Sequence, residues 1–457
     1  MPRLPVCALA LAGWCLPLAA QNPPGAASEP VVVSTSHPRL FLRPARLRLL
    51  RRERQRQSLR WQQFDALISG NATMPEPGFA QALYYQVAED EAAGRRAIAW
   101  ALDTQGASTA DLRQLALVYD WCLPLLNDAQ KSALTARITR RMTETASDDS
   151  VPAARSRALA AIVLFDEAGP EPQHEIERIV QTWWNGKLAP KLAAGHNIIP
   201  REDAYALMEL LHAVDNNANL DLRESCPIFF RDFPIERLMS YYPAVFQGAE
   251  NDFFIGAMRR PAEPSLELAA LSRAADLAIV AYDTNAPATQ VLQGWLMHDR
   301  FLMRGPLGAP YEFLWANPYQ PGLSYYHVPL VYYNPDLGSL FVRTTWDEDA
   351  HWFGMWDGVM QMFADGHITL LNSQIASEPL VLDEATICFG HVTRRFRLTL
   401  PAEQPVFVVG LEPRRTYAVE ADDEEMFEAT ADPSGILELD DLPHGKPTGV
   451  RLGPISR

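Results

Sequence analysis

The stretch GSLFVRTTWDEDAHWFGMWDGVMQMFADGHITLLN, Gly338 to Asn372, decides how the chain divides. Its pieces GSLFVRTTW, HWFGMW and HITLLN are short, β-branched or aromatic, and partly alternating, which predicts strands. Within it, Trp356 to Leu371 carries Asp357, Asp365 and His367 among apolar residues. Two methionines, Met360 and Met362, stand where a metal or base site would want histidines. The pattern continues through PLVLD, PVFVVGL, RTYAVEA, GILELDDL and GVRLGPI to the end of the chain. DPSG, Asp432 to Gly435, fits a type I turn with Pro second and Gly fourth. Strands so spaced predict an antiparallel β-sandwich over 336–457.

Before that stretch the period is helical. In STADLRQLALVYDWCLPLL, Leu112, Leu115, Tyr119 and Cys122 recur at three- and four-residue steps. Ser108 with Asp111 fits a capping box, and Pro124 ends the run. Asn127 with Gln130 opens the next helix in the same way. Short breaks between such segments suggest antiparallel helix pairs in a toroid or solenoid, and no repeat of fixed period is found. The expected class is α+β multidomain: an (α/α) toroid over 36–310, an irregular connector rich in Pro, Tyr and Asn over 311–335, then the sandwich.

Composition narrows the functional classes. The chain of 457 residues has 48% hydrophobic and 21% charged residues, as a globular protein does. Its net charge of −16 argues against general nucleic-acid binding, so an anionic substrate needs a locally basic groove. RPARLRLLRRERQRQSLR, Arg43 to Arg60, is locally basic, and the plainer reading of it is a solvated helix face. Arg3 followed by apolar Leu4 to Leu18 reads as a secretory signal over residues 1–20, hence secreted or periplasmic. No later run is long and apolar enough to span a membrane. Cys122, Cys226 and Cys388 are far apart and odd in number, which argues against a disulfide scaffold and gives no zinc spacing.

Three stretches together resemble the heparinase II/III-like polysaccharide lyases: HPRLFLRPARLRLLRRE, LALVYDWCLPLLNDAQKSAL, and Gly338 to Asn372. The resemblance covers most of the mature chain in order, and GLEPRRTYAVEADDEEMFEATADPSGILEL resembles the family's closing β segment. It implies a toroid followed by a β-sandwich, with a cleft between them that cleaves uronic-acid polysaccharides by β-elimination. That reaction needs a base for the proton beside the uronate carboxylate, a donor that neutralises the carboxylate, and an acid for the leaving oxygen.

The resemblance places Met360 and Met362 on the family's two sheet histidines and Ala364 on its Asp, with Asp365 shifted by one. Methionine exchanges no proton and is a poor zinc ligand. Asp383 matches a later metal Asp, and one carboxylate makes no zinc site. No metal and no cofactor are therefore expected. In the helical half, GHNIIPREDAYALMELL supplies candidates: His196 and Tyr205 for catalysis, Asn197 and Arg201 for the carboxylate. ERLMSYYPAVFQGAENDFF adds Tyr242 as a catalytic and Tyr241 as a binding candidate, and His367 is a binding candidate on its strand. For Tyr205 a place in the core behind a capped helix start is an equal reading, no motif fixes which of Tyr241 and Tyr242 takes part, and for His367 a structural role is the plainer reading. SYYHVPLVYY adds Tyr325, Tyr326 and His327 as an interface or a sugar platform. The expected partner is an acidic polysaccharide, with cleavage reduced or lost. A non-catalytic glycan-binding protein of the same fold is the rival, and Glu202, Asp203, Glu250 and Asp252 offer acids for a glycosidase.

Overall fold

The computed structural model describes residues 31–103, 109–247, 252–259, 265–297, 303–371, 378–401, 403–422, 424–439 and 442–455. The proposed signal, Ser108 and Glu250 lie outside these residues.

The described helices are α1 (Pro44–Gln55), α2 (Leu59–Ser69), α3 (Pro77–Ala88), α4 (Glu91–Asp103), α5 (Thr109–Cys122), α6 (Asp128–Glu144), α7 (Val151–Val163), α8 (Glu171–Glu177), α9 (Ala189–Ala193), α10 (Ala204–Ala218), α11 (Pro227–Arg231), α12 (Phe233–Met239), α13 (Leu266–Tyr282), α14 (Pro287–Leu296) and α15 (Gly308–Trp315). None is long and apolar enough to cross a membrane. The Asn127–Gln130 capping box forms as the sequence predicts, with both reciprocal bonds present.

Two kinds of helix follow from the patterning. α7 and α10 are apolar on nearly every side and buried on nearly every side. α1 and α6 bury only a few residues each, Leu50 and Glu53 in the first and Leu134, Ile138, Arg141 and Met142 in the second. Contacts run from α3 to α5, α7, α10, α13 and α15, and from α15 back to α3, so the series closes on itself.

The axis of this series is filled by ions rather than left open. Glu209 of α10 is fully buried. It accepts two bonds from Arg113 Nε, at 2.8 and 3.1 Å, and one from Arg113 Nη2 at 2.7 Å. It also accepts from Arg155 and, at 2.6 Å, from the Tyr205 hydroxyl. Arg113 reaches on to Glu76 at 3.0 Å, and Tyr311 donates to the same carboxylate. Two guanidinium groups thus face two carboxylates, which is how buried charge is tolerated.

The strands form three sheets. The first holds β1 (Val331–Asn334), β2 (Ser339–Arg343), β3 (Trp352–Trp356), β4 (Val359–Ala364) and β5 (His367–Leu370) in that order. The remaining strands are β6 (Leu380–Val381), β7 (Thr386–Phe389), β8 (Arg395–Thr399), β9 (Val406–Val409), β10 (Thr416–Ala421), β11 (Glu424–Thr430), β12 (Leu437–Leu439) and β13 (Pro447–Pro454). They make a second sheet, β12-β9-β7-β6, and a third, β11-β10-β13-β8.

This departs from the sandwich expected. The second sheet lies between the other two. Ile387, Phe389, Phe407 and Val409 share a core with the first sheet, while Cys388, Val406 and Val408 share one with the third. A strand covered on both faces must be apolar at every position, which is why TICF and VFVV do not alternate. Its central pair, β7 and β9, runs parallel. Residues 311–335 are also more regular than expected, since they contain the end of α15 and all of β1. The DPSG turn forms: Gly435 N–H donates to Asp432 O, and Asp432 Oδ1 accepts from Ser434 and Ile436.

Candidate functional site

The first sheet turns one face to the helices, and the site is built on that face. Asp357 and Gly358 have φ of +47° and +72°, and Asp365 and Gly366 have +51° and +77°. Both pairs are therefore two-residue hairpin turns, for which Asp-Gly is a favoured sequence. The first turn pairs Trp356 with Val359, Gly354 with Gln361 and Trp352 with Phe363. Directly opposed residues share a face. Residues 359, 361 and 363 therefore point to the helices with Trp352 and Trp356, and 360 and 362 point away.

Met360 and Met362 accordingly lie, partly buried, against the core shared with the second sheet. They do not occupy the junction where the resemblance set the family's sheet histidines. Gln361 occupies it. It accepts from the Tyr242 hydroxyl at 2.6 Å and donates to Met258 O at 2.6 Å. Trp352 Nε1 donates to Met239 O, and Arg343 Nη2 to Tyr241 O. These bonds hold the segment after α12 against the sheet.

Two cavities open along this junction. One, of about 210 Å³, is lined by Asn197, Arg201, Glu202, Arg259, Trp356 and Asp357, among others. Arg201 lies over the rings of Phe341 and Trp356, 5.3 Å from each centroid. It pairs with Glu236 at 3.1 Å, while its Nε and Nη1 are buried with no hydrogen-bond partner among the described residues. Burial pushes the Asp357 carboxyl up to about 6, against the pull of Arg201, and Arg259 stands 3.8 Å away.

The second cavity, of about 120 Å³, is lined by Tyr242, Tyr325, Tyr326, Arg343 and Trp346 and by the carboxylates Asp347 and Glu348, among others. Tyr325 and Tyr326 stack at 4.5 Å. Arg343 is 4% exposed and lies 4.2 Å over the Trp346 ring. Its Nε has no partner, and no ion pair is formed by this arginine among the described residues. Burial without a counter-charge lowers its pKa to about 9. A buried guanidinium whose Nε has no partner among the described residues, beside stacked aromatic rings, is fitted to a carboxylate or sulfate on a sugar.

The sequence candidates fall on both sides of this junction. Asn197 and Arg201 line the first cavity, and Tyr241 and Tyr242 border the second. The tyrosine hydroxyls are already engaged: Tyr242 donates to Gln361, and Tyr241 is bonded to Asp276 and Ser272. Tyr205 lies in the ionic axis, where it donates to Glu209 and accepts from Trp315 Nε1 at 3.0 Å. Burial and Glu209 push its pKa well above the ordinary value, so it is placed as a structural donor and not as a base. His196 is exposed and lines neither cavity. His367 pairs with Ala364, on the face turned away from the helices, and is exposed. Asp383 is exposed in the turn between β6 and β7. Among the described residues no three His, Cys, Asp or Glu converge as a metal site.

The sequence reading did not single out Arg343, Asp357 or Gln361 for a role here. A lone arginine inside the apolar strand SLFVR was the available signal for the first, and the Asp-Gly dipeptide fixed the faces of the other two.

No protein-family model matches this chain. No curated protein matches it either. Among solved structures it is similar to one titled "Glycoside hydrolase", at 11% identity and a TM-score of 0.29, over 83% of this chain and 71% of that one.

Proposed function

We propose that this is an exported heparinase II/III-like protein that holds an acidic polysaccharide along the helix–sheet junction, with β-elimination reduced or lost. The closed series of helix contacts supports the toroid reading. The observation that carries the proposal is Arg343, a buried guanidinium without a carboxylate partner in an aromatic-lined cavity. Arg201, with two free buried nitrogens, offers a second carboxylate contact beside Asn197. Both fit the neutralising role that elimination requires. The candidate proton-transfer groups are engaged elsewhere: Tyr241 and Tyr242 border the Arg343 cavity with their hydroxyls already bonded, and Tyr205 is bonded in the ionic axis. Binding therefore outweighs turnover in this reading.

A second reading rests on Asp357 and Glu202, which line the same cavity. A carboxyl raised to about 6 can act as the acid of a glycosidase. A panel of uronic-acid polysaccharides separates the readings. Binding with little or no product supports the proposal. Fast release of an unsaturated, ultraviolet-absorbing product sinks the claim of reduced elimination, and reducing ends without that absorbance favour the glycosidase.

Two expectations follow at this site. The double change Met360→His, Met362→His should recruit no zinc and add no elimination, because both side chains lie on the face turned away from the helices, partly buried against the second sheet's core. It should instead cost about 1–3 kcal/mol of stability for burying polar rings. Elemental analysis showing one zinc per chain, or a gain in product, would contradict this placement. The second expectation concerns pH. Asp357 shares its surroundings with Arg201, Arg259 and Glu236. Below about pH 6 it loses its negative charge while a uronate keeps its own, whose carboxyl titrates near 3.5. Affinity for the polysaccharide should rise as pH falls from about 7 to 5, and Asp357→Asn should flatten that rise. Calorimetric titration at three pH values checks it, and an affinity falling toward pH 5 counts against it.

A further inference from the structure

A third cavity, of about 480 Å³, lies away from the junction, beside the C-terminal ends of α10, α13 and α15. It is separated from the N-terminal end of α10 by about 20 Å, since each helical residue rises about 1.5 Å. One wall is α1, which contributes Arg46, Arg48 and Arg52, with Arg43 just before the helix. Arg48 and Arg52, four residues apart, lie on one side of the helix, and Arg46 reaches the cavity from beside them. The other arginines of this stretch are occupied elsewhere. Arg51 bonds to Gln86 O and pairs with Glu89, Arg54 bonds to Val87 O, and Arg60 pairs with Glu312. The four at the cavity form no ion pair among the described residues. Arg46 bonds to the carbonyls of Trp315 and Ala316, which caps α15. That structural duty explains one arginine and not the other three.

Charge decides what the cavity attracts. Against four guanidinium groups stand the carboxylate of Asp215 and about half a negative charge from each of three helix ends. The balance is positive, on a chain whose net charge is −16. A bare inorganic anion would gain from the arginines but meet Asp215. A molecule bearing both oxyanions and hydroxyls uses the whole lining, because Asp215, Asn216 and Asn317 can bond hydroxyls while the arginines hold the charges. The volume lies in the range of small-molecule sites.

We infer that this cavity is a second binding site, for a saccharide unit carrying two or more carboxylate or sulfate groups. It does not depend on the junction proposal, and the experiment keeps the two apart. A sulfated, uronate-containing disaccharide and sodium sulfate are titrated calorimetrically into three forms of the full chain. These are the unaltered protein, the triple reversal Arg43→Glu, Arg48→Glu, Arg52→Glu, and Arg343→Ala. The three reversed side chains are exposed, and Arg48→Gln with Arg52→Gln serves as a milder variant if the triple one melts early. Saturable disaccharide binding that the reversal weakens at least about 30-fold, and that Arg343→Ala leaves in place, supports the site. No binding at millimolar disaccharide, or binding indifferent to both sets of arginine changes, overturns it. Sodium sulfate binding as tightly as the disaccharide overturns the saccharide assignment.

Discussion

Glu209→Ala is expected to destabilise the protein by about 3–5 kcal/mol, a large fraction of what holds a domain folded. The magnitude follows from what the substitution leaves behind. Arg113 is 1% exposed and Arg155 6% exposed, and both direct their donors at Glu209. Without that carboxylate, two buried guanidinium groups share only Glu76, which Arg113 alone reaches. Repacking cannot relieve this, because the axis lies among six helices in mutual contact. Lys131→Ala provides the control. Its pair with Glu167 is partly exposed on both sides, so its loss should cost less than about 1 kcal/mol. Urea unfolding followed by circular dichroism measures both. Equal midpoints for Glu209→Ala and Lys131→Ala would mean that the axis is not a strut of the fold. Tyr205→Phe belongs to the same experiment: it should cost about 1–2 kcal/mol and leave glycan binding unchanged.

That axis also shows where sequence reasoning reached its limit. The change of period was legible: helices fill the first part of the chain and strands the last, and both Asn127 and the DPSG turn behave as read. Tyr205 was ambiguous in principle. A tyrosine one turn from an arginine on an apolar helix looks the same whether its hydroxyl meets a cleft or a buried carboxylate. Only Arg113, ninety-two residues away in the chain, settles it. The sheet was different, because the information was present. Asp357-Gly358 fixes a two-residue hairpin, and the hairpin fixes which of Gln361 or Met362 meets the helices. The two methionines that the resemblance set on the family's sheet histidines lie on the face turned away from the helices. The third sheet was hidden behind the similar lengths of all the strands, although the unbroken apolar runs VFVV and TICF pointed to burial on both faces.

Arg343→Ala should weaken binding of an acidic polysaccharide about 30- to 1,000-fold, equivalent to about 2–4 kcal/mol, and leave the fold nearly as stable as before. The two halves of that expectation come from one fact: no carboxylate of the described protein pairs with this buried guanidinium. An arginine kept for the fold has a partner, as Arg113 and Arg273 do, and its removal strands a charge. Arg343 has a single bond to Tyr241 O at 3.3 Å and the face of Trp346, so its loss should cost the fold no more than about 1 kcal/mol. Relief of an uncompensated buried charge offsets part of that. The ligand, in contrast, loses the charged donor of its site. Arg343→Lys should restore little of the affinity, because an ammonium cannot present two parallel donors to a carboxylate. Calorimetry with a uronate polysaccharide gives the binding, and urea unfolding gives the fold. A protein that binds normally without the Arg343 side chain would remove the observation on which the functional proposal stands. One that unfolds early would return Arg343 to the core.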